Sequence, residues 1–453
     1  MGWDTYNAYG LDYNETVLKV NSQLLVDLGF RDLGYNVIIL DDNMQLRQRD
    51  AKGNLQENKK NFPSGLKNIS NDFHAAGLKF GVYSSAGRYT CGQVAGGLDH
   101  EVADATWWAG LGADYLKYDN CYNEGRSGTP KISYDRYAVM SKALRDTGRN
   151  ITFSLCNWGD DKPWEWGGDI ANSGRISGDI YDSFSRSAPQ CPCGPDEYYC
   201  QLPGGGCSVM NILGKAANIA WKSQKGYWND LDMLEVGNGG MTYDEYKTHF
   251  SMWAGVKSPL IMGNKLNKLS PQDYAILINP AVLALSQDSD GSAMVRRRRQ
   301  SVDDKDEYGF GEVQVWQCGL SGGDQAVAFL NGGNNTRTIT SDLIEIFGGI
   351  PTEDKAAKAW RVYDLWGDAT VMSNAEAGRI LNGTLLPAQA SRYFNRTEMS
   401  FEEAIDRNMT SVMGTYVNTV GAFGSISAEV PRHGTALLRL RPVKSQMRKR
   451  DEL

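Results

Sequence analysis

Four groups of side chains along the 453-residue chain have the types and spacing to move protons or attack carbon. In Ala113–Cys121, read A-D-Y-L-K-Y-D-N-C, Lys117 and Asp119 close an apolar run two residues apart. Strand side chains alternate faces, so both point the same way. A cation beside a carboxylate favours its ionised form, and the ammonium can also hold a substrate hydroxyl. Asp41 and Asp42 close N-V-I-I-L-D-D, and Asp230 and Asp232 sit in W-N-D-L-D-M. Asp179 closes G-R-I-S-G-D, with Arg175 four residues earlier and read as sharing its strand face. A single strand-end aspartate ordinarily caps a turn, and a lone Lys–Asp pair is ordinarily a solvated ion pair. Several such ends at one rim, two of them beside cations, point instead to catalysis. Paired carboxylates fit glycosidic-bond chemistry, in which one ionised carboxylate is the nucleophile and one protonated carboxyl is the acid, about 5–5.5 Å apart in retaining enzymes. Asp119 suits the first role and Asp179 the second, although Arg175 opposes a raised pKa unless it is aimed at the sugar. The four histidines form no H-E-x-x-H and no G-x-S-x-G occurs, which speaks against a zinc or serine hydrolase. No metal or cofactor is expected.

These ends need a scaffold that gathers them. Up to about residue 285, apolar β-rich runs (36–40, 79–83, 114–118, 151–155, 175–178, 260–262) alternate with amphipathic stretches (16–28, 66–76, 101–111, 134–145). Such alternation fits a (β/α)8 barrel, whose strand C-termini share one rim. A doubly wound sheet would want a Gly-rich loop after its first strand, and Met1–Gly10 has none. After the helical stretch 271–285 the texture changes to short alternating runs (313–317, 325–330, 336–340, 359–363, 436–440) with few helical patterns between them. That predicts an antiparallel β-sandwich. Val295-Arg296-Arg297-Arg298-Arg299 reads as a solvated edge. The α/β organisation expected is a catalytic barrel over 1–288, a sandwich over 289–443 and a basic tail over 444–453.

Charged residues make up 22% of the chain, and its net charge is −7, so neither nucleic acid nor an anionic membrane surface is an expected partner. No run of ~20 apolar residues marks a membrane span. Cys191, Cys193, Cys200 and Cys207 crowd a Pro/Gly-rich segment without the paired C-x2-C hooks of a zinc site. Sequons occur at Asn14, Asn68, Asn150, Asn334, Asn382, Asn395 and Asn408. Together these favour an oxidising, secretory-pathway protein carrying N-glycans over a cytosolic zinc protein. The opening Met1-Gly2-Trp3 begins neither a charged stretch nor an apolar one, so no signal peptide is read there. Arg450-Asp451-Glu452-Leu453 is one residue from an endoplasmic-reticulum retrieval address, so retention there is the alternative to secretion.

The motifs also resemble a known family. Met1-Gly2-Trp3, Leu40-Asp41-Asp42, Gly81–Ser84, Thr90-Cys91-Gly92, Tyr115–Cys121, Phe153–Gly159, Arg175 to Asp179, Trp228–Leu234, Ser258–Leu260 and Gly263-Asn264 occur in the order of the glycoside hydrolase family 27 α-galactosidases (melibiases), with fungal secreted members nearest. The resemblance implies that Asp119 forms a covalent galactosyl-enzyme and that Asp179 acts as acid, then base. It implies that Asp41 and Asp42 take the 4- and 6-hydroxyls, Lys117 the 3,4 side, and Arg175 and Asp232 the 2-hydroxyl. Tyr83 and Trp3 would line the pocket, Trp3 equally well being barrel core, and Tyr6 would stand where the family's aromatic platform is. Asn157 and Trp158 fit the galactose type better than an N-acetyl-binding loop. The resemblance also implies a Cys91–Cys121 disulfide, leaves three pairings open within Cys191–Cys207, and leaves Cys156 and Cys318 as buried thiols. Tyr6, Asn43, Met44 and Ser85 depart from the family pattern at the pocket wall. The expected activity is release of terminal α-galactose from oligosaccharides or galactomannan, with a bell-shaped acidic optimum. The alternatives are a β-L-arabinopyranosidase or α-N-acetylgalactosaminidase of the same family and, more remotely, a catalytically silent galactose-binding barrel.

Overall fold

The computed structural model describes residues 1–185, 191, 207–348 and 352–443. Eight short strands come first: β1 (Gly2–Asp4), β2 (Val37–Ile39), β3 (Lys79–Ser85), β4 (Tyr115–Asp119), β5 (Thr152–Cys156), β6 (Ser173–Arg175), β7 (Trp228–Asp230) and β8 (Ile261–Met262). All pair in parallel, in the order β7-β6-β5-β4-β3-β2-β1-β8. The ring closes just past β7, where Leu234 N donates to Ile261 O at 2.7 Å and Gly263 N to Leu234 O at 3.0 Å. Register sets Ser85, Asp119 and Cys156 level at one end of the barrel.

Strand β4 explains how the sequence does this. Leu116 and Tyr118 are fully buried in the core, where Tyr118 meets Tyr137 of the helix Pro130–Asp146 edge to face. Tyr115, Lys117 and Asp119 take the opposite, inward face. The helices begin at explicit stops. Thr129 accepts from Ile132 N with Pro130 in the first turn, and Thr242 with Glu245 forms a reciprocal capping box.

Two strands escaped the sequence reading. β1 (G-W-D) and β7 (W-N-D) are three residues long and, unlike the equally short β2 and the shorter β8, sit in no apolar run. The run read at 175–178 is displaced: β6 ends at Arg175, and Asp179 lies on the following loop. The shared-face argument for Arg175 and Asp179 therefore fails. The chain at Ile176 is instead packed under Gly159, where an added Cβ would sit 2.4 Å from Ile176 O.

The second unit comprises β9 (Val295–Ser301), β10 (Glu312–Gly319), β11 (Gln325–Asn331), β12 (Arg337–Asp342), β13 (Trp360–Asp364), β14 (Thr415–Val420), β15 (Ser425–Val430) and β16 (Thr435–Pro442). Six form an antiparallel sheet in the order β14-β13-β16-β11-β10-β9, and β12 pairs with β15. The arginine run is its edge strand β9, as the sequence suggests. Val315, Val327 and Phe329 face the sandwich core, whereas Trp316, Ala328 and Leu330 on the other face join the core of the barrel. Against expectation, the stretch between β13 and β14 is helical (Asn374–Leu381, Phe401–Asp406, Thr410–Met413). Its Ala377, Ile380, Phe401 and Val412 pack into the barrel core, so burial stabilises helices too short to be legible as periodic sequence. Among the described residues, no helix is long and apolar enough to cross a membrane. Cys193, Cys200 and the tail 444–453 lie outside the described residues.

Candidate active site

Asp119 ends β4 at the floor of a cleft in the C-terminal rim and is 6% exposed. Its Oδ2 accepts from the Tyr83 hydroxyl at 2.7 Å and its Oδ1 from Asn120 N at 2.8 Å. Asn120 is braced in turn by Arg136 at 2.5 Å and Asp160 at 3.0 Å. The Cys91–Cys121 disulfide borders the carboxylate, with Cys91 Sγ 3.4 Å from Oδ2. The carboxyl is anchored on one side and open to the cleft on the other. Burial pushes its pKa up to about 7, against the opposing Lys117 charge and with help from Asp179.

Lys117 lines the same cleft, but its ion pair is with Asp41 at 2.7 Å, with Asp4 at 3.7 Å. Lys117 thus favours the ionised form of Asp119 only across the cleft: its direct ion pairs are with Asp41 and Asp4, and burial of Asp119 outweighs its charge. Despite burial, those carboxylates hold the Lys117 pKa well above the usual lysine range. Asp4, buried beside Asp41, is pushed well upward. Its position at the end of β1 obeys the strand-end rule that singled out the others, but β1 sits in no apolar run and was not seen.

Asp179 stands at the rim with its side chain 56% exposed, and Arg175 Nη2 donates to its Oδ1 at 3.0 Å. The same guanidinium reaches Asp232 Oδ2 at 2.7 Å, and Nη1 lies 3.6 Å from Cys156 Sγ. Arg175 thus tethers two cleft carboxylates from below. Asp232 has φ +81° and also accepts from Ile180 N, linking the loop after β7 to the loop carrying Asp179. Cys156 and Met233 complete the floor. The sequence left Cys156 as a spare thiol, although its place at the end of β5 gave the signal. Burial and the Asp119 charge raise its pKa well above the thiol range.

Other sequence candidates separate. Tyr6, 40% exposed, and Trp158 line the cleft mouth, while buried Tyr83 lines the floor beside Asp119. Trp3 is wholly buried, its indole N–H donating to Asn264 O at 2.8 Å, so of its two readings the structure takes barrel core. Asn157 is buried beneath the rim, donating to Asp160 O at 2.6 Å and setting the turn that displays Trp158 at φ +58°. Asp42 holds the disulfide loop: it accepts from Thr90 Oγ1 at 2.7 Å, Gly92 N at 2.5 Å and Asn43 N at 2.8 Å. Three of about four acceptor positions on its carboxylate are thereby engaged. Among the departures, Met44 is buried core and Ser85 donates to Cys121 O at 2.9 Å, so neither faces the cleft. Cys191 pairs with Cys207, which excludes the two pairings that join either of them to Cys193 or Cys200. Cys156 and Cys318 are free and buried. A roomier cleft at the opposite end of the barrel, beside Lys79, Thr152 and Trp228, has a single carboxylate, Asp288, in its lining and no facing pair.

Comparison with known proteins agrees with this geometry. A family model described as Alpha galactosidase A matches residues 12–187 and 204–288, and one described as Alpha galactosidase C-terminal beta sandwich domain matches 310–393. An α-galactosidase of Lachancea cidri is 47% identical over 443 residues, covering 98% of this chain and 93% of that protein. The solved structure of a Saccharomyces cerevisiae α-galactosidase with raffinose superposes with a TM-score of 0.94 at 44% identity, covering 98% of this chain and 97% of that one. That of α-galactosidase I from Mortierella vinacea gives 0.81 at 38% identity, covering 97% and 96%. A carboxylate-floored sugar cleft on a barrel, backed by a β-sandwich, together with near full-length identity of this order, settles the assignment: the chain belongs to the glycoside hydrolase family 27 α-galactosidases.

Proposed function

We propose that the protein releases terminal, non-reducing α-D-galactose from galacto-oligosaccharides or galactomannan side chains with retention of configuration. Asp119 in its ionised form, which burial makes the minor form of the free site in acid, attacks the anomeric carbon while the C1–O bond breaks and Asp179 gives its proton to the departing oxygen. Asp179 then takes a proton from water, which hydrolyses the galactosyl ester and frees Asp119. The observation that carries this reading is the contrast between the two carboxylates. Asp119 is buried and anchored where the sugar ring must lie, and Asp179 is at the open rim where the leaving group departs. Lys117 with Asp41, and Arg175 with Asp232, present paired donors and acceptors to ring hydroxyls. A site built this way rejects analogues that leave a buried polar group unpaired. Asp42 has one acceptor position left for a hydroxyl; its main work in the free site is to hold the Thr90–Gly92 loop.

Parallel kcat/KM values on aryl α-galactoside, β-L-arabinopyranoside and α-N-acetylgalactosaminide test the sugar. Preference for either of the latter would overturn the galactose reading. Activity retained in Asp119→Ala would overturn the nucleophile. The protein is proposed to work in or beyond the secretory pathway with N-glycans attached. Two disulfides and exposed sequons at Asn14, Asn68, Asn150, Asn382 and Asn408 support that reading.

A further inference from the structure

Asp179 has an exposed side chain whose side-chain partner is Arg175, so its place depends on the backbone of its loop. That loop is held at nearly every residue. Cys207 N donates to Asp179 O at 2.6 Å, Ile180 N to Asp232 Oδ2 at 2.9 Å, and Tyr181 N to Cys207 O at 2.8 Å. The Asp182 carboxylate accepts from the Tyr246 hydroxyl at 2.9 Å and Gly240 N at 2.5 Å. These holds come from the barrel itself.

The next two come from the other domain. The imidazole of His433, in the turn between β15 and β16, stacks on Phe184 with ring centroids 4.4 Å apart and planes at 17°. The Ser185 hydroxyl donates to the carboxylate of Asp306, in the connection between β9 and β10. Asp306 is fixed by its own turn, accepting from Tyr308 N at 2.9 Å and Phe310 N at 2.8 Å. His433 is fixed on the barrel side: its Nδ1 lies 2.6 Å from Glu245 Oε1, and its carbonyl accepts from Thr248 Oγ1 at 2.8 Å. It is buried and has φ +54°, a left-handed backbone that costs a non-glycine residue free energy. Histidine is among the non-glycine residues that adopt this backbone more readily than most. The buried ring is what joins Phe184 to Glu245.

We propose that the β-sandwich positions the catalytic acid: His433 and Asp306 clamp the Asp179 loop from the second domain, through Phe184 and Ser185. His433 is a positioning residue and touches no reacting atom. The proposal rests on the reading of Asp179 as the acid, and its test separates the two.

The test uses the leaving group. When methyl α-galactoside is cleaved, the departing oxygen needs the proton of Asp179; 2,4-dinitrophenolate leaves without it. In kcat/KM, which reports the step that breaks the C1–O bond, Asp179→Ala should therefore lose far more on the methyl glycoside. His433→Ala should show the same asymmetry in smaller measure, about tenfold on methyl α-galactoside and under about twofold on the dinitrophenyl substrate, the scale expected of a small misplacement. His433→Phe, which keeps a ring on Phe184, should restore most of the loss. Ser185→Ala should shift the ratio in the same sense and serves alone if His433→Ala does not fold. Equal losses on both substrates, or no loss, in His433→Ala and Ser185→Ala would overturn the clamp. Absence of asymmetry in Asp179→Ala would overturn the acid assignment instead.

Discussion

Replacing Asp119 by Asn should abolish turnover and at the same time stabilise the fold, by an amount that depends on pH. The Asp119 carboxyl titrates at about 7 in the folded protein because burial disfavours its charge, against 3.8 as the ordinary value. Between those values the unfolded chain has released the proton and the folded one retains it, so stability falls as pH rises through the window. Roughly 3 pH units at 1.36 kcal/mol each amount to about 4 kcal/mol at pH 8, and at pH 5 only about 1.5 kcal/mol of that cost is present. Asparagine carries no charge and is close in shape, and the Tyr83 hydroxyl can accept from its amide where it donated to the carboxylate. With an unfolding entropy of about 2.1 cal/mol/K per residue, the 453-residue chain should gain about 4 °C in Tm at pH 8 and under about 2 °C at pH 5. Other groups that titrate in this range, such as Asp104 and Glu235, cancel in the difference between the two proteins. Scanning calorimetry of both proteins at the two pH values measures the effect. An equal shift at both, or a loss at pH 8, would refute the claim that Asp119 is held against its charge.

Lys117→Met should leave Asp41 and Asp4 buried without their cation. A destabilisation of about 3–5 kcal/mol and a fall of at least about a hundredfold in kcat/KM are expected, read by denaturant titration and aryl α-galactoside kinetics. The double variant Cys91→Ser with Cys121→Ser opens a link spanning 30 residues, which should lower stability by about 3–4 kcal/mol. It should also reduce kcat, since the bridge borders Asp119; unchanged kcat would show that the bridge does not set the nucleophile. In protein expressed through a secretory pathway, half-buried Asn334, whose Nδ2 donates to Lys305 O at 2.7 Å, should carry sugar less fully than an exposed sequon. Exposed Asn382 should carry sugar, and peptide mass spectrometry after enzymatic deglycosylation decides both.

Most of the barrel was legible because β3 to β5 are five to seven residues long, β2 sits in a continuous apolar run, and amphipathic stretches separate them. The rim carboxylates followed from a single rule, that such strands deliver their C-terminal residues to one mouth. The rule failed where a short strand sat in no apolar run, which hid Asp4, and where a strand stopped early, which misplaced Asp179. The partner of Lys117 was hidden for another reason. Residues two apart on one strand announce themselves, whereas Asp41 is 76 residues away and meets the lysine only through pairing of β2, β3 and β4. The helical excursion after β13 was invisible because burial against the barrel, not local periodicity, makes it helical. Trp3 and Asn157 resemble pocket residues in sequence because the motif around them is the pocket's; structure separates the residues that touch the cleft from those that hold it up.

The sheet formed by β10, β11 and β16 has no solvent face: one side lies in the sandwich, and the other is continuous with the barrel's core. The boundary near residue 288 is therefore one of topology and not of cooperativity. Cutting there would strip water-excluding cover from Trp316, Ala328 and Leu330 and from the barrel side chains beneath them, so neither half is an interchangeable module. Homologous recombination between relatives should succeed only when both halves of that seam come from the same parent.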